Sequence, residues 1–308
     1  MTSPAPSPTT RFAPAPTGRL HLGHLANAIY IWGFARRRGG RVLLRIEDHD
    51  RQRCRPVFET ALLDDLDRLG LVADEPSTDD LRSGPSSYRQ SDNDTAYAGA
   101  LAALRAQGLV YACDCTRSTF DAWRAANGRP WIGPGCPGRC RERMPSIDLA
   151  LGGSAASALV VRVPLGEGEE TWDDALLGPS AAPVTTAGDL PIRDRNGNWT
   201  YALCVVVDDL RHGVDLVVRG EDLVEATADQ IRLGRLLGRQ SPPTFAHHPL
   251  VCRSDGSKLS KAGGATSLGE LLDDGRSPAD LFGEAAFRVG LVPDSRSLTL
   301  NDALELVP

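Results

Sequence analysis

The stretch RFAPAPTGRLHLGH, Arg11 to His24, decides the fold of this 308-residue chain. Arg11-Phe12-Ala13 begins as a short apolar strand. Pro14, Pro16 and Gly18 then forbid both helix and regular strand. His21-Leu22-Gly23-His24 opens a helix, because Leu22, Leu25, Ala26, Ile29 and Trp32 share one face of a 3.6-residue period. Strand, tight turn and helix start are the parts of an anion site, where unpaired amides and the positive dipole end face whatever sits in the turn. The two histidines stand beside that site, off the apolar stripe.

Far along the chain, the polar run Arg253-Ser254-Asp255-Gly256-Ser257 leads into Lys258-Leu259-Ser260-Lys261-Ala262. Two lysines flanking a serine on a glycine-turned loop suit a polyphosphate that gains charge as it reacts. Between these poles, residues 41–46 read as a buried strand running into Glu47-Asp48-His49-Asp50. Open α/β sheets bind ligands at the C-terminal ends of their strands, which is where these acidic groups fall.

Cysteine supplies a further constellation. Four of seven cysteines fall in two close pairs, Cys113-Asp-Cys115 and Cys136-Pro-Gly-Arg-Cys140, amid Gly, Pro and charge. Two thiol pairs across a polar loop are what a closed tetrahedral Zn²⁺ site requires, and four protein ligands make it structural. The pair His247-His248 lacks such company and is expected to be structural.

Composition sets outer limits. An apolar content of 41% is enough for a sizeable core, in more than one domain. A net charge of −6 argues against a wholesale polyanion binder, though 36–41 and 139–143 carry local arginine clusters. The first ten residues, MTSPAPSPTT, read as a disordered lead-in and not as a secretory signal. No apolar run approaches the roughly 18 residues of a membrane span. Cysteines without an export signal suggest reduced thiols or metal ligands, so a cytoplasmic protein is expected.

The remaining elements follow from periodicity. Helices are expected at 57–69, 94–107, 223–237, 268–272 and 279–289, with 73–94 as loop. Strands are expected at 109–112, 159–163, 214–219 and 250–252, and a small sheet over 172–191. Residues 199–207, continuously apolar and ending in Asp208-Asp209, read as a parallel strand covered on both faces.

HLGH after an APAP strand, with KLSK near the other end, resembles the two signatures of class I aminoacyl-tRNA synthetases, and the glutamate-specific branch fits best. LRIEDHD (44–50) resembles that branch's LRIEDTD, Tyr88-Arg89-Gln90-Ser91 its Q/YQS stretch, WTYALCVVVDD (199–209) its FAYNLAVVVDD, and DLVVRGEDL (215–223) its EIVRGADL. The resemblance implies an α/β fold, a doubly wound Rossmann-like parallel sheet split by a small zinc-bearing inserted domain, with a short helical C-terminal tail. The halves would be 11–94 and 196–262, the insertion 95–195 and the tail 263–308.

It also implies roles. His21, Gly23, His24, Lys258, Ser260 and Lys261 would bind ATP, accompanied by Mg²⁺, with His21, His24, Lys258 and Lys261 catalytic. Arg11, Phe12, Ala13, Pro14, Ala15, Glu47, Tyr201 and Arg219 would hold L-glutamate. Glu47 would take the α-amino group, and Tyr201 and Arg219 the side-chain carboxylate. An arginine fork grips a carboxylate bidentately and rejects a neutral amide. Cys113, Cys115, Cys136 and Cys140 would hold zinc, Cys136 standing where a tyrosine is usual. Ala15 and Ala202 replace a serine and an asparagine of the family, and His49 a threonine. The chain stops soon after KLSK, whereas full-length glutamyl-tRNA synthetases continue into a helical anticodon-binding region. Short forms attach glutamate to the queuosine base of tRNA(Asp), so that acceptor and a monomer are expected. A truncated tRNA(Glu)-charging enzyme, a ligase serving another amine and a non-catalytic tRNA- or nucleotide-binding relative stay open.

Overall fold

A computed structural model describes residues 7–127, 136, 138–143, 147, 159–184, 188–251 and 266–308. The loop of Lys258, Ser260 and Lys261 lies outside the described residues, as does Cys252. Of the strand expected over 250–252, the described Leu250 and Val251 are not in a strand, the preceding one (Thr244–His248) having ended at His248.

The opening stretch builds a β-α-β step. Strand β1 (Thr9–Phe12) pairs in parallel with β2 (Arg41–Leu44), Phe12 opposite Leu44, and α1 (Leu22–Arg37) crosses between them. The expected one-sided stripe on α1 is too narrow: Ala28, Tyr30, Ile31, Phe34 and Ala35 are buried as well. The helix is sandwiched, because β1, β2 and β8 (Leu216–Gly220) cover one side and α10 (Pro278–Arg288) and α11 (Leu300–Glu305) the other. Gly33 permits that approach, since a Cβ there would stand 2.5 Å from Val307 Cγ2. Helix α11 was not expected from periodicity. Arg36 and Arg37, read as a basic surface, fasten it by donating to Asn301 Oδ1 at 2.7 Å and to the Glu305 carbonyl at 2.9 Å.

Next come α2 (Pro56–Leu69), a short α3 (Thr78–Ser83) inside the segment expected as loop, and α4 (Asp94–Ala106). The cysteine region contributes β3 (Tyr111–Cys113), α5 (Arg117–Asn127), α6 (Arg139–Arg143) and β4 (Val160–Val163), and β7 (Leu190–Arg193) closes an antiparallel sheet of order β3-β4-β7. The hairpin β5 (Glu169–Asp174) and β6 (Gly178–Pro183) falls within the expected insertion. It nevertheless extends the sheet β6-β5-β9-β8, where β9 (Thr244–His248) lies parallel to both β5 and β8.

One expectation fails outright. Residues 199–207 do not form a strand: α7 (Tyr201–Arg211) occupies this run. Val205-Val206-Val207 favours extended backbone by local propensity. Tertiary packing overrides it, because α7 packs against α4 and α8 (Thr227–Leu236) and buries Leu203, Cys204 and all three valines. The helix also delivers Asp208 and Asp209 to a buried cationic cluster, a placement a strand of alternating faces would not give both. The tail is helical as expected, from α9 (Leu268–Asp273) onward. No helix among the described residues is long and apolar enough to cross a membrane.

Candidate active site

His21 is the N-cap of α1. Its Nδ1 accepts the Gly23 amide at 3.1 Å, and His24 Nδ1 accepts the His21 amide at 3.1 Å. Each neutral ring therefore carries its proton on Nε2. Such a donor beside a helix N-terminus suits a phosphate or a ribose. Gly23 is required between them, because a Cβ at this position would stand 2.9 Å from His21 Cε1.

Beneath this turn lies a network of buried charge. Asp209 Oδ1 accepts Arg11 Nε at 3.0 Å and Arg45 Nη1 at 2.7 Å, and Arg45 Nη2 donates to Glu47 Oε1 at 2.9 Å. Asp208 accepts Gln90 Nε2 at 2.9 Å, Tyr97 Oη at 3.0 Å and Arg211 Nη1 at 3.0 Å. Burial alone would raise the Asp209 pKa, but Arg11 and Arg45 hold it below the usual carboxylate range. Arg45, desolvated yet surrounded by Asp209, Glu47 and Asp208, stays charged.

Arg219, at the end of β8, is different. It is 4% exposed, and its hydrogen bonds run to uncharged acceptors: His247 Nε2 at 3.0 Å, Gln230 Oε1 at 2.6 Å, Thr227 Oγ1 at 2.8 Å and the Leu223 carbonyl at 3.3 Å. Among the described residues no carboxylate forms an ion pair with it, Glu221 and Asp222 included. Desolvation lowers its pKa, and Tyr201 and the more distant charge of Asp209 only partly oppose that shift. The Tyr201 phenol stands beside it. Burial raises the Tyr201 pKa, with Glu47 adding to the rise while Arg219 and Arg11 oppose it, so these expected ligands share one electrostatic neighbourhood. The ion-paired cations Arg11, Arg45 and Arg211 are matched by Glu47, Asp208 and Asp209, whereas the carboxylate nearest to Arg219 along its own hydrogen bonds, Asp174, is reached only through His247.

The family model for tRNA synthetases class I (E and Q), catalytic domain, matches residues 8–301. The chain belongs to this family. It is 40% identical to a glutamyl-Q tRNA(Asp) synthetase of Symbiobacterium thermophilum, covering 92% of this chain and 86% of that one. It is 39% identical to a protein of the same name from Rhodobacter capsulatus, covering 88% and 97%. A solved glutamate tRNA ligase from Elizabethkingia meningosepticum superposes with a TM-score of 0.77 at 26% identity. That match spans 97% of this chain and 64% of the solved one.

Not every residue expected in this class I site contributes a side chain to it. Phe12 is a core residue, its ring 5.4 Å from that of Trp32. Pro14 acts through its carbonyl, which accepts the Glu47 amide at 3.1 Å and ties the opening turn to the acidic cluster. His49, where the family pattern has threonine, binds Gln90 Oε1 through Nδ1 at 2.7 Å and so joins the Asp208 network.

The family's zinc expectation meets a site that could hold a metal ion. The Sγ atoms of Cys113, Cys115, Cys136 and Cys140 lie within 4.8 Å of one another, all buried. A tetrahedral Zn²⁺ with metal–sulfur bonds of about 2.3 Å has sulfur–sulfur edges of about 3.8 Å. Cys115 and Cys136 are 3.8 Å apart, and Cys115 and Cys140 are 3.3 Å apart. The thiols already differ in acidity: hydrogen bonding from Cys113 lowers the Cys136 pKa to about 4, while burial pushes Cys115 up to about 12. Arg143 Nη2 approaches Cys140 Sγ at 3.5 Å, Arg195 donates to the Asp114 carbonyl at 3.1 Å, and Arg141 pairs with Asp189. Part of the cluster expected as a basic surface thus packs around the thiols, with Arg141 and Arg143 paired to Asp189 and Asp114.

Sequence reading missed Arg45, Asp209, Gln90, Gln230, Thr227, Asp174 and His247. Arg45 and Gln90 stood inside quoted motifs, and Asp209 closed another. His247 and Asp174 had no local signal, since their partners come from other strands.

Proposed function

We propose that this protein activates L-glutamate with ATP, without RNA, and transfers it to the queuosine base of tRNA(Asp). The observation that carries the glutamate reading is Arg219, a buried guanidinium whose direct hydrogen-bond partners are all uncharged. Zwitterionic glutamate brings a side-chain carboxylate that can accept from Arg219 and pair with its charge. Glutamine brings no net charge and leaves the guanidinium unneutralised. Arg11, Glu47 and Tyr201 complete the amino-acid site. The acceptor reading draws support from the names of the relatives that match most of this chain.

In the reaction, an oxygen of the glutamate α-carboxylate attacks the α-phosphorus of ATP and pyrophosphate leaves, giving glutamyl-adenylate. The carboxylate is already ionised, so no general base is needed; positioning and charge stabilisation supply the rate. His21 and His24 donate through Nε2 to phosphate and ribose. Lys258 and Lys261 neutralise the departing pyrophosphate, Ser260 can donate its hydroxyl to it, and Mg²⁺ carried in with ATP would offset further charge. An acceptor hydroxyl then attacks the acyl carbon and AMP leaves. A cavity of 220 Å³ lined by His49, Arg51, Asp94 and Trp199, among others, opens close to Tyr201, whose ring is 6.3 Å from that of His49. It offers room for an acceptor group.

Glutamate-dependent ATP–pyrophosphate exchange with no RNA present, followed by transfer of labelled glutamate to queuosine-containing and unmodified tRNA(Asp), tests both halves. Exchange that requires tRNA(Glu) favours an enzyme charging that tRNA. Exchange without transfer points to a different acceptor, such as a small amine.

The cysteine cluster is proposed to hold a structural Zn²⁺. About one equivalent should co-purify, and Cys136→Ser should lose most of it. Structural zinc contributes on the order of 10 kcal/mol to folding its lobe, so a chelator should melt the β3-β4-β7 region first. RNA transfer should then fall before pyrophosphate exchange does. A metal-free chain with an unchanged melting curve would refute the assignment.

A further inference from the structure

Strands β5, β9 and β8 lie side by side, and three polar side chains form a row across them. Asp174 closes β5, His247 sits on β9, and His247 is the register partner of Arg219 on β8. Asp174 and His247 are fully buried, and His247 Nδ1 lies 2.5 Å from Asp174 Oδ2. The other carboxylate oxygen, Oδ1, accepts the amides of Leu176 and Leu177 at 3.0 Å each and of His247 at 3.3 Å. The Phe245 ring lies parallel to His247 at 5.6 Å, with the Arg219 guanidinium carbon 5.2 Å from its centre.

Donor chemistry fixes every proton in this row. Arg219 Nε can only donate, so His247 Nε2 must accept and the ring proton sits on Nδ1, facing Asp174. We infer that Asp174 and His247 are positioning residues for Arg219, holding its guanidinium in place for a substrate carboxylate without neutralising it. This rests on the glutamate reading of Arg219. A carboxylate placed directly against Arg219 would aim it equally well but would consume its charge. A neutral imidazole aims the fork and keeps the negative charge one ring away. Burial favours that neutral ring, lowering the His247 pKa.

Asp174→Asn separates positioning from plain support. The asparagine Oδ1 can keep all three backbone bonds, while its amide N–H now faces His247 Nδ1. The ring must then carry its proton on Nε2, against the Arg219 N–H, as expected when an amide replaces a tautomer-setting carboxylate. Losing an aligned hydrogen bond to a charged group should raise the glutamate KM in pyrophosphate exchange roughly 10- to 100-fold, with the ATP KM changed by less than about twofold. Histidine ring ¹⁵N spectra of the wild type, with His247 assigned by the signal missing in His247→Gln, should show Nδ1–H and an unprotonated Nε2. They should show the reverse in Asp174→Asn. A wild-type ring protonated on Nε2, or a folded Asp174→Asn with an unchanged glutamate KM, overturns the inference. A wild type inert towards glutamate removes the substrate reading alone, and the ring spectrum still decides whether the relay exists.

Discussion

Arg219→Lys is expected to lower kcat/KM for glutamate in pyrophosphate exchange on the order of 10²–10³-fold while leaving the ATP KM close to wild type. Lysine keeps the formal charge, so the effect isolates geometry. Its ammonium has three N–H groups, so it cannot reach His247, Gln230, Thr227 and the Leu223 carbonyl, as the guanidinium does, and still keep an N–H for a carboxylate. In so buried a place the amine also sheds its proton more readily than a guanidinium. Both effects act on the amino-acid side chain and neither touches the His21 and His24 wall. The split between the two KM values is therefore the informative readout. A loss below about threefold would mean that Arg219 does not grip the substrate and that its buried charge serves the fold alone.

The sequence announced this arginine because its motif is local, and the same holds for the other parts that were legible. The HLGH turn caps its own helix through bonds spanning two or three residues, and the cysteines come in close pairs. Such signals survive without knowledge of the fold. What stayed hidden depends on contacts between distant segments. Asp209 looked like the end of a strand because three valines precede it; only the packing of α7 against α4 and α8 turns that run into a helix. His247 looked idle because Asp174 and Arg219 reach it from neighbouring strands, across separations of 73 and 28 residues. Its neighbour His248 points elsewhere, stacking on Tyr30 at 4.7 Å and meeting Asn27 Oδ1 at 3.0 Å. A pair that reads as one motif in the chain thus serves two unrelated structural jobs, one on each face of β9.

Asp209→Ala is expected to destabilise the protein by about 3–5 kcal/mol, because it leaves two buried guanidiniums without their shared acceptor. Arg11 and Arg45 have side chains 6% and 1% exposed, so water cannot replace the lost carboxylate without opening the core. In melting temperature that corresponds to a drop of roughly 10 °C. Asp209→Asn should cost less, since its carbonyl can still accept from Arg45. Glutamate binding should suffer in Asp209→Ala through Arg11 drifting from β8, where it now donates to the Val218 carbonyl at 3.4 Å. The pH dependence has a definite sign. The folded pKa of Asp209 is depressed, so its contribution is complete above the unfolded value of about 3.9 and fades as pH falls through the lower folded value. The gap in melting temperature between wild type and Asp209→Ala should therefore be full at neutral pH and shrink progressively below about pH 4. Thermal melts of both proteins across that range decide the matter. A gap that is small at pH 7, or equally wide in acid, would show that the two arginines find their counter-charge in Glu47 and Asp208 without help from Asp209.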